Sequence, residues 1–137
     1  MCVFCQIIEG KIPSVKVYED DAVIAFLDIA QTTKGHTLVV PKKHYDYFLK
    51  TPKTIMHRVM DVAQRIGQAQ LLSLHAKGVN VLTNNLSPAG QTVFHFHVHV
   101  IPRYDEADKL RLEMIENDAR HELNLPAIAK QLQQQFK

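Results

Sequence analysis

Long apolar runs and an excess of one charge are both missing from this sequence. No stretch approaches the roughly eighteen apolar residues of a membrane-spanning helix, and the N-terminus lacks the basic-then-apolar layout of a signal peptide. The net charge of +2 gives no reason to expect nucleic acid or an acidic membrane as a partner. A length of 137 residues suits one domain with its own core. We therefore expect a cytoplasmic, globular domain.

Cysteine is also scarce, because the chain has only Cys2 and Cys5. In a cytoplasmic protein a Cys-x-x-Cys pair indicates a metal or redox motif rather than a structural disulfide. The pair could supply half of a tetrahedral zinc site, or it could be two unrelated thiols. The spacing alone leaves both alternatives open.

The apolar patterns predict an α+β domain, an antiparallel five-stranded sheet with one long helix packed on it. Thr51 is the expected N-cap of that helix, which continues to about Leu74. The first two strands should meet at a turn formed by Glu19, Asp20 and Asp21. The strands are expected within residues 15–27 (two strands), 36–44, 78–84 and 92–102.

The last part of the chain is polar and predicts a helical tail. We expect two helical pieces, the second beginning near Asn124 and Pro126. The predicted organisation is a domain over residues 1–105 and a C-terminal tail over residues 106–137, packed on or beside it.

The stretch "FHFHVHVI" places His95, His97 and His99 on alternate positions of the fifth predicted strand. Alternate side chains share one face of a strand, so the apolar residues between them should face the core and the histidines should stay open. Three interpretations compete. The histidines could be the polar face of a half-exposed strand, could bind a metal, or could include a nucleophile or general base that its neighbours orient.

The preceding loop "SPAGQT" combines small residues with a glutamine and a threonine. Such a loop can offer backbone N–H groups and side-chain donors to a phosphate, although a plain turn is an alternative. Next to three histidines it favours phosphate chemistry.

The segment "HFHVHVI" resembles the histidine triad pattern, in which three histidines alternate with apolar residues. The resemblance to a bacterial member of the HIT family of nucleotide-binding hydrolases and transferases extends to residues 4–29, to "GHTLVVPKKH" and to residues 83–104. It covers about residues 2–105 and implies the HIT-like fold. The tail carries little of it.

The resemblance implies a role for each matching residue. His97 would attack the α-phosphate of a nucleotide and form a covalent nucleotidyl-histidine, with its other ring nitrogen bonded to a backbone carbonyl. His99 would hold the phosphate near the scissile bond, and Asp28 would bind the ribose hydroxyls. The residues expected to contact the phosphates are Asn84, Gln91 and Thr92. The expected apolar wall around the base consists of Phe4, Ile7 and Ile12. The other four histidines, His36, His57, His75 and His121, are expected at the surface or at the ends of elements.

Distant relatives in this family bind zinc with a Cys-x-x-Cys pair, a histidine after the middle strand and the first histidine of the motif. The resemblance thus implies a structural zinc ion on Cys2, Cys5, His44 and His95, and no organic cofactor. Without the metal, His95 would bond to His44. The sequence departs from the family at Leu86, where a glycine is common, and Leu is poorly suited if that position needs a positive φ.

The resulting prediction is a hydrolase that cleaves purine nucleoside phosphoramidates or related adenylated compounds at the α-phosphate. The alternatives are a dinucleoside polyphosphate hydrolase and a nucleotide-binding regulatory protein with negligible turnover. The family also implies a homodimer whose two sheets join across the long helices and the strand that precedes them.

Overall fold

The computed structural model describes residues 1–137 and contains a single five-stranded sheet. The strands are β1 (Lys16–Glu19), β2 (Val23–Leu27), β3 (Thr37–Pro41), β4 (Gly78–Leu82) and β5 (Val98–Arg103). Their order is β1-β2-β3-β5-β4, and every neighbouring pair is antiparallel. The α-helices are α1 (Val3–Ile8), α2 (Lys53–Ser73) and α3 (Leu125–Gln133). The predicted α+β architecture is confirmed.

The predicted turn between β1 and β2 is present, and Asp20 stabilises it. Its carboxylate accepts hydrogen bonds from the backbone N–H groups of Ala22 and Val23, each at 2.8 Å, and from the Tyr18 hydroxyl. An aspartate that bonds backbone two residues ahead closes such a turn locally.

Helix α2 packs its apolar face on the sheet and forms the larger core. Its buried side chains contact one face of the central strands, where Val39, Val98 and Val100 are almost fully buried. The predicted N-cap was wrong. The Thr51 hydroxyl donates instead to the Tyr47 carbonyl, and Pro52 occupies the cap position without a side-chain hydrogen bond.

Strand β5 begins later than the predicted range of 92–102. The chain bends before it, because the Phe96 N–H donates to the Tyr45 carbonyl at 2.6 Å rather than to a neighbouring strand. Phe96 and Val98 are buried against α2 as predicted, but Phe94 is 42% exposed. The predicted alternation of faces therefore holds from Phe96 onward only.

The opposite, histidine-bearing face is covered rather than open. Helix α1, which the sequence analysis did not predict, lies over it and inserts Phe4 between β2 and the histidines. The Phe4 ring meets those of Phe26 and His97 edge to face, at centroid distances of 5.6 and 5.1 Å. As a result His95 is fully buried and His97 is 8% exposed.

Beyond β5, the chain is held at the β4 edge before it leaves the domain. The Arg103 guanidinium donates to Asn80 of β4, to the Asp108 carboxylate and to the Leu110 carbonyl. All of residues 111–137 are exposed. Asn124 caps α3 as predicted, by accepting from the Ala127 N–H. The first predicted helical piece of the tail is reduced to a short 3₁₀ helix over Arg120–Glu122, since residues 106–119 form no helix.

None of the helices combines the length and the apolar character that crossing a bilayer would require.

Candidate active site

His97 occupies the centre of the site with one ring nitrogen committed to the backbone. Its Nδ1 lies 2.7 Å from the carbonyl oxygen of His95 and must donate, since a carbonyl only accepts. The Nε2 atom is then unprotonated and carries a free lone pair. Burial lowers the pKa of His97 and favours this neutral form. The Thr83 hydroxyl donates to the His97 carbonyl at 2.8 Å and fixes the backbone at this point.

A chain of hydrogen bonds that reaches His99 runs through His36, which was expected at the surface or at the end of an element. It lies directly before β3 and is only 3% exposed. The Thr32 N–H donates to His36 Nδ1 at 3.3 Å, so the ring proton of His36 sits on Nε2. That proton points to His99 Nδ1, 2.9 Å away. His99 therefore carries its own proton on Nε2, where it can donate to a ligand.

The imidazole rings in this chain of hydrogen bonds are neutral. Burial lowers the pKa of His99 to about 4, and the neighbouring His97 and His36 contribute to the shift. The pKa of His36 is also lowered by burial, although the Asp28 carboxylate, 3.7 Å from its Nε2, opposes this effect. The possible ligand atoms of Asp28, His36 and His99 lie close enough together to bind one metal ion. The 2.9 Å separation between the two imidazoles and the Thr32 donor identify a hydrogen-bonded relay instead.

Beside the histidines lies an apolar cleft of about 230 Å³ between α1, the residues that follow it and the end of β2. It brings together all four residues predicted to hold the nucleoside, namely Phe4, Ile7, Ile12 and Asp28. Asp28 lies at the polar margin, where one carboxylate oxygen accepts from the Ala30 N–H at 2.8 Å. The cleft thus offers apolar walls for a flat ring and a carboxylate at its rim.

The loop over residues 84–92 carries the three predicted phosphate contacts. Asn84 lies beside the loop glycine, with its amide 3.4 Å from the Gly90 carbonyl. Thr92 is exposed. Gln91 is only 4% exposed, and its amide donates to the carbonyls of Asp46 and Val93. In this structure Gln91 therefore holds the loop in shape with both of its N–H donors.

Leu86 adopts a positive φ, the conformation for which the sequence analysis judged leucine poorly suited. Its φ of 74° and ψ of 159° fall in a region that is almost restricted to glycine, at a cost of about 1–3 kcal/mol. The Gln91 side-chain oxygen accepts from the Leu86 N–H at 2.8 Å. Backbone bonds from Ala89 and Gln91 to the Leu86 carbonyl also hold this geometry. The surrounding hydrogen bonds compensate for the unfavourable residue.

Cys2, Cys5, His44 and His95 converge at the other side of His97. Each histidine directs Nδ1 at a thiol: His95 lies 3.4 Å from Cys2 and 3.6 Å from Cys5, and His44 lies 3.4 Å from Cys5. A tetrahedral zinc ion bonded at about 2.3 Å to sulfur and 2.0–2.1 Å to nitrogen separates its ligands by about 3.5 Å.

The second ring nitrogens of this cluster are also arranged as in metal sites. His95 Nε2 donates to the Pro41 carbonyl at 2.8 Å, and His44 Nε2 lies 3.1 Å from an oxygen of the Asp46 carboxylate. Such partners hold the proton on the far nitrogen and leave the near one free for a metal. Burial lowers the pKa of His95 to about 4, so its ring is neutral. The donor set therefore fits zinc.

Comparison with known proteins places this geometry in one family. The model of the HIT domain matches residues 9–106. One curated relative, the adenylylsulfatase HINT3 of Arabidopsis thaliana, is 39% identical over 131 residues, which span 96% of this chain and 65% of that protein.

Solved structures agree over nearly the whole chain. A crystal structure of a HIT family protein from Bacillus anthracis is 43% identical, with a TM-score of 0.89 over 99% of this chain and 97% of that chain. A Zn-bound histidine triad family protein from Mycobacterium smegmatis is 40% identical, with a TM-score of 0.75 over 97% of this chain and 96% of that chain.

The relay predicts a single protonation pattern for His99 that depends on His36. Long-range ¹H–¹⁵N NMR at pH 7.5 should show His99 with an unprotonated Nδ1 and a protonated Nε2. In His36→Ala the signals should move toward a mixture of tautomers, because the donor to Nδ1 is gone. The exposed His57 of α2 supplies the control, and His57→Ala should leave the pattern unchanged. A proton on Nδ1 of His99 in the wild type would show that the relay is wrong.

Proposed function

The chain belongs to the HIT domain family, and from its site we propose that it is a nucleotide hydrolase with a covalent intermediate. Its substrates are purine nucleoside phosphoramidates or related adenylated compounds, cleaved at the α-phosphate. The observation that carries this proposal is the free Nε2 of His97, which its Nδ1–H bond to the His95 carbonyl makes available. A buried neutral imidazole is a competent nucleophile at neutral pH.

In the first step, Nε2 of His97 attacks the α-phosphorus in line and forms a phosphorus–nitrogen bond. The bond from phosphorus to the leaving group breaks, and the departing amine takes up a proton from solvent. The imidazole becomes cationic, and the His95 carbonyl stabilises it through the Nδ1–H bond. In the second step, water attacks the phosphorus and releases a proton to solvent, the bond to His97 breaks and the nucleoside monophosphate leaves. Two displacements replace one more difficult one.

His99 acts on the phosphate through the proton that the relay from His36 assigns to its Nε2. A fixed donor aimed at developing negative charge stabilises the transition state without reorganising. Asn84 and Thr92 lie on the loop that faces the same group. Neutral donors suit this task, because a pKa of about 4 keeps His99 from becoming a cation near neutral pH.

The cleft lined by Phe4, Ile7 and Ile12 receives the base, and Asp28 at its rim binds the ribose hydroxyls. An adenylylsulfatase among the relatives supports a substrate in which an adenylyl group is joined to a leaving group through its α-phosphate. This chemistry matches the predicted attack on phosphorus.

We further propose that Cys2, Cys5, His44 and His95 hold a structural zinc ion, as supported by their spacing and by the Zn-bound relative. Four protein ligands leave no position for substrate, so the metal's role is to fix geometry. His95 would then be held on both sides, by the metal and by the Pro41 carbonyl, and its own carbonyl would be fixed against His97. Thiolate ligands of this kind fit a reducing compartment, and we place the protein in the cytoplasm.

We also propose a homodimer, which the unpaired edge of the sheet supports. Strand β4 is an edge of the sheet, and unpaired strand edges invite pairing with another chain. Val81 on this strand, and Leu71 and Leu72 in the last turn of α2, are exposed. A twofold contact along β4 and α2 would cover them.

The nucleophile is tested with His97→Ala. We expect kcat for an adenosine phosphoramidate to fall at least about 1,000-fold, since the substitution removes the Nε2 atom that forms the intermediate. The dissociation constant for AMP, measured by calorimetry, should change less than about tenfold because the cleft remains. His121→Ala, in the exposed tail, is the control and should behave as wild type. Turnover that survives in His97→Ala would contradict the mechanism. A wild-type protein that binds AMP but does not hydrolyse the phosphoramidate would instead be a regulatory protein.

The zinc site is tested by metal content and by hydrogen exchange. Protein produced with added zinc should contain about one zinc ion per chain, and Cys5→Ser should lose most of it. Removal of zinc by a chelator should also speed amide exchange in α1, because two ligands belong to this helix and its cap. His75→Ala, an exposed histidine outside the cluster, should keep full occupancy. A wild-type protein without zinc, or a Cys5→Ser protein that retains it, would exclude the site.

A further inference from the structure

The phosphate loop, defined as residues 84–92, is closed on itself around one buried side chain. The Leu86 carbonyl accepts from the backbone N–H groups of Ala89 and Gln91, at 3.1 and 3.2 Å. The Gln91 side chain returns to the same residue, because its Oε1 accepts from the Leu86 N–H at 2.8 Å. Both polar groups of the Leu86 backbone are therefore bonded to Gln91, which is only 4% exposed.

The nitrogen of the Gln91 side-chain amide fixes the loop to more distant backbone. Nε2 donates to the carbonyls of Asp46 and Val93, at 2.8 and 3.0 Å. Only one orientation of the amide makes these bonds, since a flipped amide would set its oxygen against both carbonyls. The anchor is itself held, because the carbonyl of Tyr45 accepts from the Phe96 N–H at 2.6 Å. The three side-chain hydrogen bonds of Gln91 thus form a clamp between the loop and the segment that precedes β5.

Leu86 is the strained residue of the loop. Its φ of 74° and ψ of 159° lie in a region that leucine rarely occupies, and its side chain is 45% exposed, so little packing holds it there. If the clamp were lost, rotation of Leu86 to a negative φ would relieve the strain and displace the residues that follow. A glycine would occupy this region without a steric penalty and would need the clamp less.

The proposed phosphate contacts lie directly beside the clamp. Thr92 follows Gln91 in the chain, and the Asn84 amide lies 3.4 Å from the carbonyl oxygen of Gly90, which precedes it. A Cβ on Gly90 would meet the Asn84 amide nitrogen at 3.3 Å, so these two residues are closely packed. A shift of the loop would therefore move both phosphate contacts.

One further hydrogen bond joins the loop to the segment near Asp46, but it constrains the loop less. The Leu49 N–H donates to Asn85 Oδ1 at 3.1 Å, at an exposed position. Water can replace an exposed bond that breaks, whereas the buried carbonyls that Gln91 satisfies would be left without a donor. Gln91 is thus the main constraint on the loop.

We propose that Gln91 is a positioning residue for the proposed reaction. It holds Leu86 at its positive φ and thereby keeps Asn84 and Thr92 directed at the phosphate. It acts through Leu86 and does not touch the substrate, in place of the direct phosphate contact that the family resemblance implied. This inference rests on the proposed function, because it takes the loop to bind the α-phosphate.

The test is a double-mutant cycle on Gln91 and Leu86, read by calorimetry as the ratio of the dissociation constants for adenosine and AMP. Adenosine lacks the phosphate, so this ratio isolates what the phosphate contributes to binding. Gln91→Met nearly keeps the side-chain volume and removes the three hydrogen bonds of the clamp, and Leu86→Gly removes the strain. Gln64→Met, at an exposed position of α2, is the matched control.

Gln91→Met should lower the ratio at least about tenfold when residue 86 is leucine, but at most about threefold in the Leu86→Gly background. Gln64→Met should keep the wild-type ratio. Equal losses in both backgrounds would indicate direct contact between Gln91 and phosphate and would overturn the inference. It would also be overturned by an unchanged ratio in Gln91→Met, or by a wild-type protein that binds AMP no better than adenosine.

Stability and turnover are measured on the same proteins. Affinity for adenosine should change less than about threefold in Gln91→Met, since the cleft is not part of the loop, and a larger loss would mean a general structural role. If Gln91→Met is unfolded by circular dichroism, Gln91→Glu takes its place, because it keeps the acceptor for Leu86 and loses the amide donors. A wild-type protein without phosphoramidate turnover would contradict the proposed reaction alone, because the ratio requires only binding.

Discussion

The chemistry of this site depends on one hydrogen bond, from the Nδ1–H of His97 to the backbone carbonyl of His95 at 2.7 Å. It fixes the tautomer of the central imidazole and leaves Nε2 with a free lone pair. In the proposed mechanism, it would also give the positive charge that follows attack a partner that is already in place. Because the acceptor is a backbone atom two residues away, its position depends on how the chain is held at His95. That residue is fully buried and bonded to the Pro41 carbonyl, so the acceptor is rigid.

A short N-terminal helix connects the separate parts of the site. Its cap residue Cys2 and its first-turn residue Cys5 face His95, while Phe4 between them contacts His97 and lines the cleft. The six residues of α1 are too few to be stable alone. Packing of Phe4 into the smaller core and the cysteine–histidine cluster hold the helix instead. The proposed metal ligation, the packing against His97 and the proposed base binding therefore depend on the same element.

The strand periodicity was sufficient to separate Phe96 and Val98, which face α2, from His97 and His99 on the opposite face. The resemblance to the family implied that the four cleft residues lie together and that the four residues of the cysteine–histidine cluster lie together. The structure brings each of these two groups together. Alternation could not reveal α1, since six residues carry no helical period, or the bend before β5 that exposes Phe94.

His36 escaped prediction for a different reason. Its role arises from the pairing of β3 with β5, which aligns Leu38 with His99 and places His36 beside that ring. Sequence patterns do not specify this register. The role of Gln91 likewise depends on carbonyls from distant segments, at Asp46 and Val93.

The central claim is that His97 becomes covalently nucleotidylated, and its most direct test is intact mass spectrometry during a single turnover. The protein is mixed with an adenosine phosphoramidate, quenched after brief intervals in cold alkaline denaturant that preserves a phosphorus–nitrogen bond, and then weighed and mapped. The account predicts a transient adduct of one adenylyl group on His97 in the wild type, and none in His97→Ala. AMP formation without an adduct at any time point, or an adduct on another residue, would contradict it.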